Sequence, residues 1–421
     1  MSTSAESRPM PAPRLRAAPP SALHAGPPLV VAWALCCVSV TAMLLGSFAG
    51  SAGAYGFAAL WLLLAATWPR TVWRAIAARR GVWVFPLFAL ASVAWSQSHG
   101  DTLRFGMEYA LTCGCAILAA FVLPPHRFIS ALTVALMAIA LLCLVAGKQS
   151  VDPLTGSSAF VGVFESKNQL GFFASLMLLC GLALLLDRRQ ELLIRALGLP
   201  ALALAAPLLI LTRSGTAVVT AALAAAVLVG GLGFSRLHRF TRTRMLAALV
   251  ICLLPLVAIA GLAGSAGFEA ITGALGKDAT LTGRTLLWHR AAALIPDHLM
   301  LGYGFQAFWR QNDVVAESLW HEFHVLSRQG FHFHNSFIEA AIELGITGAA
   351  LLAVSLVGTL GGLLRWSWRT GGADSAFFVA LLFCLIVRSF VEVDVLFQFQ
   401  IGSFLLFVAA SYAGAALEAG K

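Results

Sequence analysis

Long apolar runs separated by short polar connections recur along almost the whole chain. Each holds roughly 17 to 25 mostly apolar residues, enough to cross about 30 Å of hydrocarbon as a helix. About twelve are legible by that length criterion, over 28–48, 54–68, 82–96, 107–123, 129–147, 170–186, 193–212, 215–234, 246–264, 335–364, 375–391 and 396–413. Barrel strands would alternate apolar and polar positions over about ten residues. These runs are apolar on every face, so the pattern predicts an all-α polytopic membrane protein with about 12 transmembrane helices.

The connections divide the chain further. Residues 1–27 are rich in Pro, Ala and Ser, carry Arg8, Arg14 and Arg16, and predict a disordered cytoplasmic tail. The run that follows exceeds the apolar core of a cleavable signal peptide and predicts a retained helix. Helices one to nine then occupy 28–264, a large loop 265–333, helices ten to twelve 334–413, and a short tail 414–421.

Composition agrees, with 59% hydrophobic and 11% charged residues, against about 25% charged in an ordinary soluble domain. The net charge of +9 would suit nucleic acid if the basic residues clustered on one surface. Instead they sort by connection: Arg70, Arg74, Arg79 and Arg80; Arg188 and Arg189; Arg236, Arg239, Arg242 and Arg244; Arg365 and Arg369. About 18 of the 28 Lys and Arg fall inside if the N-terminus is cytoplasmic, as the positive-inside rule expects. That excludes nucleic acid as the reason for the charge and places 265–333 on the outer, periplasmic face. All eight cysteines fall within apolar runs, which predicts small buried filler rather than disulfides or a Cys-based metal site.

Few polar residues are placed to carry chemistry. Arg213 sits in a minimal outer connection, Leu211-Thr212-Arg213-Ser214-Gly215, where it either snorkels to head groups or contacts an anion. Arg284, in Thr282-Gly283-Arg284-Thr285, opens a helix-compatible run and is either solvated or a second anion contact. Two guanidiniums on one membrane face suit a diphosphate, which makes a leaving-group site without a metal. The segment Phe331-His332-Phe333-His334-Asn335-Ser336 lies where the loop re-enters the membrane. His334 is a candidate general base, while His followed by Asn335-Ser336 is equally a capping context. His321, His324, His332 and His334 are close in sequence, but no familiar carboxylate or cysteine pattern completes a metal site, so none is expected. Glu339 falls a turn into the tenth run, and Arg388 with Glu392, at i, i+4 spacing, predicts a helix-packing ion pair.

The stretch His334-Asn335-Ser336-Phe337-Ile338-Glu339-Ala340-Ala341-Ile342-Glu343-Leu344-Gly345-Ile346-Thr347-Gly348 resembles the signature of the O-antigen ligase and polysaccharide polymerase superfamily of bacterial envelope glycan transferases. Thr212-Arg213-Ser214 and Gly283-Arg284-Thr285 match that family's other basic positions. The resemblance implies a GT-C-like membrane fold and an inner-membrane enzyme acting at the periplasmic face. It implies an undecaprenyl-diphosphate-linked oligosaccharide donor, with Arg213 and Arg284 holding the diphosphate. His334 would activate an acceptor hydroxyl, giving inversion with no metal and no cofactor. Trp95-Ser96 with Arg104, Glu165 to Gly171, and Leu301 to Phe305 with Phe308 and Trp309 resemble the exopolysaccharide polymerases rather than the lipopolysaccharide ligases.

Lys167, Asn168 and Asn335 are implied substrate contacts. Tyr303 and Trp309 either stack on sugar rings or seat the loop on the lipid interface. Ligase and polymerase share a donor and differ in acceptor, lipid A-core in one and a glycan on another lipid-linked repeat in the other. Membrane lipids and polysaccharide export or flippase proteins are the expected partners. A transporter of lipid-linked glycan is the competing class, yet the two related halves and central cytoplasmic loop typical of such carriers are not visible.

Overall fold

The structure, a computed structural model, describes residues 26–151, 158–235, 278–328 and 330–419. The predicted ninth run, 246–264, Cys252, and the basic cluster Arg236 to Arg244 lie outside the described residues.

The chain is an all-α bundle. Its helices are α1 (Leu29–Leu44), α2 (Ser51–Thr67), α3 (Pro69–Ala78), α4 (Val84–Ala91), α5 (His99–Val122), α6 (Pro125–Ala146), α7 (Lys167–Leu186), α8 (Gly198–Leu211), α9 (Gly215–Ser235), α10 (Asp278–Leu294), α11 (Val314–Glu322), α12 (Ser336–Thr370), α13 (Ala373–Ser389) and α14 (Ile401–Glu418). Seven helical stretches among the described residues are long and apolar enough to cross a membrane, or eight if the bent pair α2 and α3 is one span. One two-stranded antiparallel hairpin, Lys148–Val151 with Ser158–Gly162, joins α6 to α7.

Polar contacts gather the connections at two opposite ends. At one end, Arg79 pairs with Glu418 at 2.8 Å and Arg189 with Asp374 at 3.3 Å. The ring of Phe234, near the end of α9, meets Trp368 near the end of α12 at 5.9 Å. At the other end, the segment after α10 docks on α4 and α5. There Trp95 Nε1 donates to Leu301 O at 2.8 Å, the Phe305 N–H donates to Ser92 Oγ at 2.9 Å, and Thr102 Oγ1 donates to Phe305 O at 2.8 Å. The basic stretch from Arg70 to Ala78, read from the sequence as a connection, is the helix α3, bent by 107° from α2 with Arg70, Trp73 and Arg74 exposed. Such an amphipathic segment suits the plane of a membrane interface.

Helices in lipid gain little from apolar burial and associate through close packing. Here aromatic side chains fill the seams: Phe57 meets Phe404 edge-on, Tyr109 meets Phe407, and Tyr412 meets Phe378. The two phenols do not leave a donor orphaned, since Tyr109 donates to Val395 O and Tyr412 to Leu123 O. The seven described cysteines are buried and unpaired.

The long helix α12 is broken at Gly345, whose φ of +68° is non-helical. The break strips two carbonyls of their helical donors, and a neighbouring segment supplies replacements. Tyr303 N–H donates to Ile342 O at 3.0 Å, Gly304 N–H to Glu343 O at 2.8 Å, and Ile346 N–H to Leu299 O at 2.9 Å. Only glycine fits this junction, because a Cβ on Gly345 would collide with the Met300 carbonyl and one on Gly302 with the Glu343 carbonyl.

Candidate active site

The first turn of α12 is capped by Asn335, whose Oδ1 accepts the N–H groups of Phe337 at 2.9 Å and Ile338 at 3.1 Å. Just before it, His334 is held at a φ of +51°, a region that non-glycine residues seldom adopt. Arg213 has the same feature, with φ +50°. Strain of this kind persists only where the surroundings impose it, and it concentrates at functional sites.

The chain after α13 meets this cap. Three successive carbonyls are held by three side chains: Asn335 Nδ2 donates to Phe390 O at 3.2 Å, Arg284 Nη1 to Val391 O at 2.8 Å, and Ser336 Oγ to Glu392 O at 2.9 Å. The result fixes the carboxylate of Glu392 at a convergence of four elements. Its Oε1 accepts from Arg284 Nη2 at 2.9 Å and from Asn168 Nδ2 at 2.7 Å, while Oε2 lies 3.4 Å from His334 Nδ1. Asn168 in turn accepts from Ser214 Oγ at 2.9 Å. The Arg213–Ser214 turn is thereby tied to Asn168, and through Glu392 to Arg284 and His334.

Arg284 is positioned by α10, where Trp288, one turn on, donates from Nε1 to Phe333 O at 2.8 Å. Phe333 N–H donates to Glu339 Oε2 at 2.7 Å, and Trp309 Nε1 donates to Glu339 Oε1 at 2.9 Å. The buried Glu339 thus braces the segment that carries His334. Side-chain exposure is graded across the site, with Glu392 at 9%, Arg284 at 17% and His334 at 29%. The carboxylate is the buried anchor and the imidazole is reachable.

Burial pushes the Glu392 carboxyl up. The hydrogen bond and charge of His334, with the charges of Arg284 and Arg388, outweigh burial and hold it at about 2. His332 is pushed down to about 3, by burial first and then by the neighbouring His334 and Arg284, with Glu392 acting the other way. Its Nδ1 accepts the His334 N–H at 3.0 Å, which requires that nitrogen to be unprotonated.

The residues singled out from the sequence fall into three groups. Arg284, His334, Asn168 and Asn335 come together around Glu392. Arg213 stands at the edge of that network, its side chain exposed, and Lys167 opens α7 half-buried beside Asn168. Tyr303 and Trp309 belong to a small core of the segment after α10 with Leu287, Phe308 and Phe333, Tyr303 being only 7% exposed.

One expectation is corrected. Arg388 does not pair with Glu392 as a helical i, i+4 couple, because α13 ends at Ser389. Arg388 instead donates from Nε to Asp394 Oδ2 at 2.6 Å and from Nη2 to Oδ1 at 3.1 Å, which releases Glu392 for the site. Sequence reasoning missed the central role of Glu392, of Ser214 and Ser336, and of His332. An acid next to an outer membrane boundary was the one available signal. Among the described residues, the donor set close enough to hold a metal ion is His332, His334 and Glu392, rather than His321 with His324.

The pattern of a family described as O-Antigen ligase matches residues 200–353, a range that includes Arg213, Arg284 and the His334 to Gly348 stretch. The chain is also 34% identical over 362 residues to the exopolysaccharide production protein ExoQ of Rhizobium meliloti (strain 1021), covering 86% of this chain and 83% of that one. The chain therefore belongs to the O-antigen ligase and polysaccharide polymerase family. It is a multi-pass membrane glycosyltransferase of the polymerase or ligase type, working with a lipid-linked glycan donor and a glycan acceptor.

Proposed function

We propose that this protein is an exopolysaccharide polymerase of a bacterial inner membrane, joining glycan repeats from an undecaprenyl-diphosphate donor at the periplasmic face. The observation that carries this reading is the convergence of His334, Arg284 and Asn168 on Glu392. The similarity to ExoQ favours the polymerase branch over the ligase.

In this reading Glu392 stays ionised at any working pH and accepts a hydrogen bond from the Nδ1–H of His334, which leaves the Nε2 lone pair for the acceptor. The acceptor oxygen attacks the anomeric carbon as its proton passes to Nε2. The bond from that carbon to the phosphate oxygen breaks, and its electron pair leaves on the diphosphate. Attack from the face opposite the leaving group inverts the anomeric centre. Arg284 has five donors, of which two are spent on Val391 O and Glu392, so three remain to hold phosphate oxygens. Arg213 supplies a second, exposed guanidinium next to Ser214, which bonds Asn168, and Lys167 precedes Asn168 at the start of α7. The chemistry asks for no cofactor and no metal, and export or flippase proteins are the partners that would bring repeats and remove polymer.

The test is replacement of His334, Arg284, Arg213 or Glu392 singly by Ala in cells lacking the native gene. Each should lower polymer yield by at least about a hundredfold, the usual scale for a lost general base or charge clamp, with protein retained in the membrane. Unsubstituted lipid A-core after gene deletion, with secreted polymer intact, would mean a ligase. Full polymer from all four variants would sink the catalytic reading.

A further inference from the structure

Beside the catalytic cluster lies a groove of about 310 Å³, within the roughly 300 to 1,000 Å³ of small-molecule clefts. It runs between the end of α1, the start of α2, the first turns of α5 and α7, and the stretch just before α14. We propose that it is the binding subsite for the acceptor sugar chain, a polyhydroxylated oligosaccharide; this rests on the transferase reading above.

The lining fits sugar hydroxyls and argues against a diphosphate. The amides of Gln169, Gln398 and Gln400 face it, with the phenol of Tyr55 and the ring of Phe399. The single cation, Arg104, is matched by Glu108 at 3.1 Å, and a second carboxylate, Glu165, leaves the groove with excess negative charge. A polyanion would be repelled, whereas hydroxyls find both donors and acceptors. An aromatic face beside amide groups also suits the apolar face of a sugar ring.

Two observations mark the groove as built for a ligand. Gln398 Oε1 is buried without a hydrogen-bond partner, a cost that an arriving hydroxyl donor would remove. Phe399 holds a φ of +51°, pinned by its N–H on Thr112 Oγ1 at 3.0 Å. Two chain segments also run from the groove to the site. Gln169 adjoins Asn168, and the segment that carries Gln398 begins at Glu392. Ser214, next to Arg213, approaches from the other side of Asn168. The first turn of α7 thus carries Asn168 in the site and Gln169 in the groove.

The experiment measures direct binding by saturation-transfer NMR, on purified full-length protein in nanodiscs. The probe is the oligosaccharide mixture released by mild acid from the polymer that the host cells secrete. Wild-type protein and His334→Ala should both bind it. Tyr55→Ala and Gln398→Ala should weaken binding about tenfold, roughly the loss of one or two good polar contacts; Gln398→Asn replaces Gln398→Ala if the latter does not fold. Absence of binding to wild type, or binding unchanged in both groove variants, overturns the proposal. So does loss that follows Arg213→Ala instead, which would put the sugar on the phosphate side. Because binding requires no turnover, a failed transfer assay with binding intact counts against the transferase reading alone.

Discussion

At the residue scale the centre of this molecule is Glu392, a carboxylate that accepts from a guanidinium and an amide and faces an imidazole. Its low pKa and that of His332 are the site's contribution to acid sensitivity. Both folded values lie below the ordinary ones, about 2 against 4.5 for Glu392 and about 3 against 6.5 for His332. In each window the unfolded chain binds the proton that the folded chain refuses, so stability is complete above the ordinary value and is lost as pH falls. Below about 6.5 the unfolded chain protonates His332 while the folded chain keeps it neutral. Between pH 7.5 and pH 5 in detergent, the melting temperature of the wild-type protein should therefore drop relative to that of His332→Gln. Equal drops would mean that His332 is not held neutral.

At the element scale the break in α12 links the bundle to the segment after α10. The signature glycine Gly345 has a backbone reason, since its φ of +68° and the nearness of the Met300 carbonyl both exclude a side chain. Gly345→Ala should cost about 1–3 kcal/mol, the range for a side chain forced into such a conformation, or more with the collision. The readouts are a lowered melting temperature and reduced polymer, and an unchanged melting temperature would show the junction to be dispensable. The neighbouring Arg388 and Asp394 pair matters for another reason. It anchors the first residues after α13, whose carbonyls and carboxylate meet Asn335, Arg284 and Ser336. A buried ion pair of this type contributes little net stability but is costly to break, so its value here is positional.

At the scale of the whole molecule the polar connections sort to two ends, and the candidate site occupies one of them. Val314, 84% exposed on α11, stands on the segment of the site end, while Arg188, exposed after α7, stands at the other. If the site faces the periplasm, a membrane-impermeant maleimide applied to spheroplasts should label Val314→Cys and leave Arg188→Cys unlabelled until the membrane is opened, with unsubstituted protein as the background. The reverse pattern would turn the site to the cytoplasm.

The sequence by itself determined the class of structure. Continuous apolar runs have no stable arrangement in water, and in lipid a helix is the way for one segment to satisfy its own backbone, so helices such as α5, α7, α12 and α14 were legible from hydropathy. His334 and Asn335 were legible as a capping context, which is a local matter of spacing, and Gly345 through the family resemblance, whereas the break there was not, since 335–364 reads as one run. Glu392 was not legible. Its i, i+4 distance from Arg388 suggested a helical pair, and only the end of α13 at Ser389 and the competing Asp394 turned it toward Arg284, more than a hundred residues away in the chain. For Tyr303 the sequence left a sugar platform and a loop-seating ring both open, and only the structure shows it packed with Leu287, Phe308 and Phe333. Local pattern sets which segments cross the membrane, whereas the partners of a charge depend on contacts between distant elements, which only the tertiary structure decides.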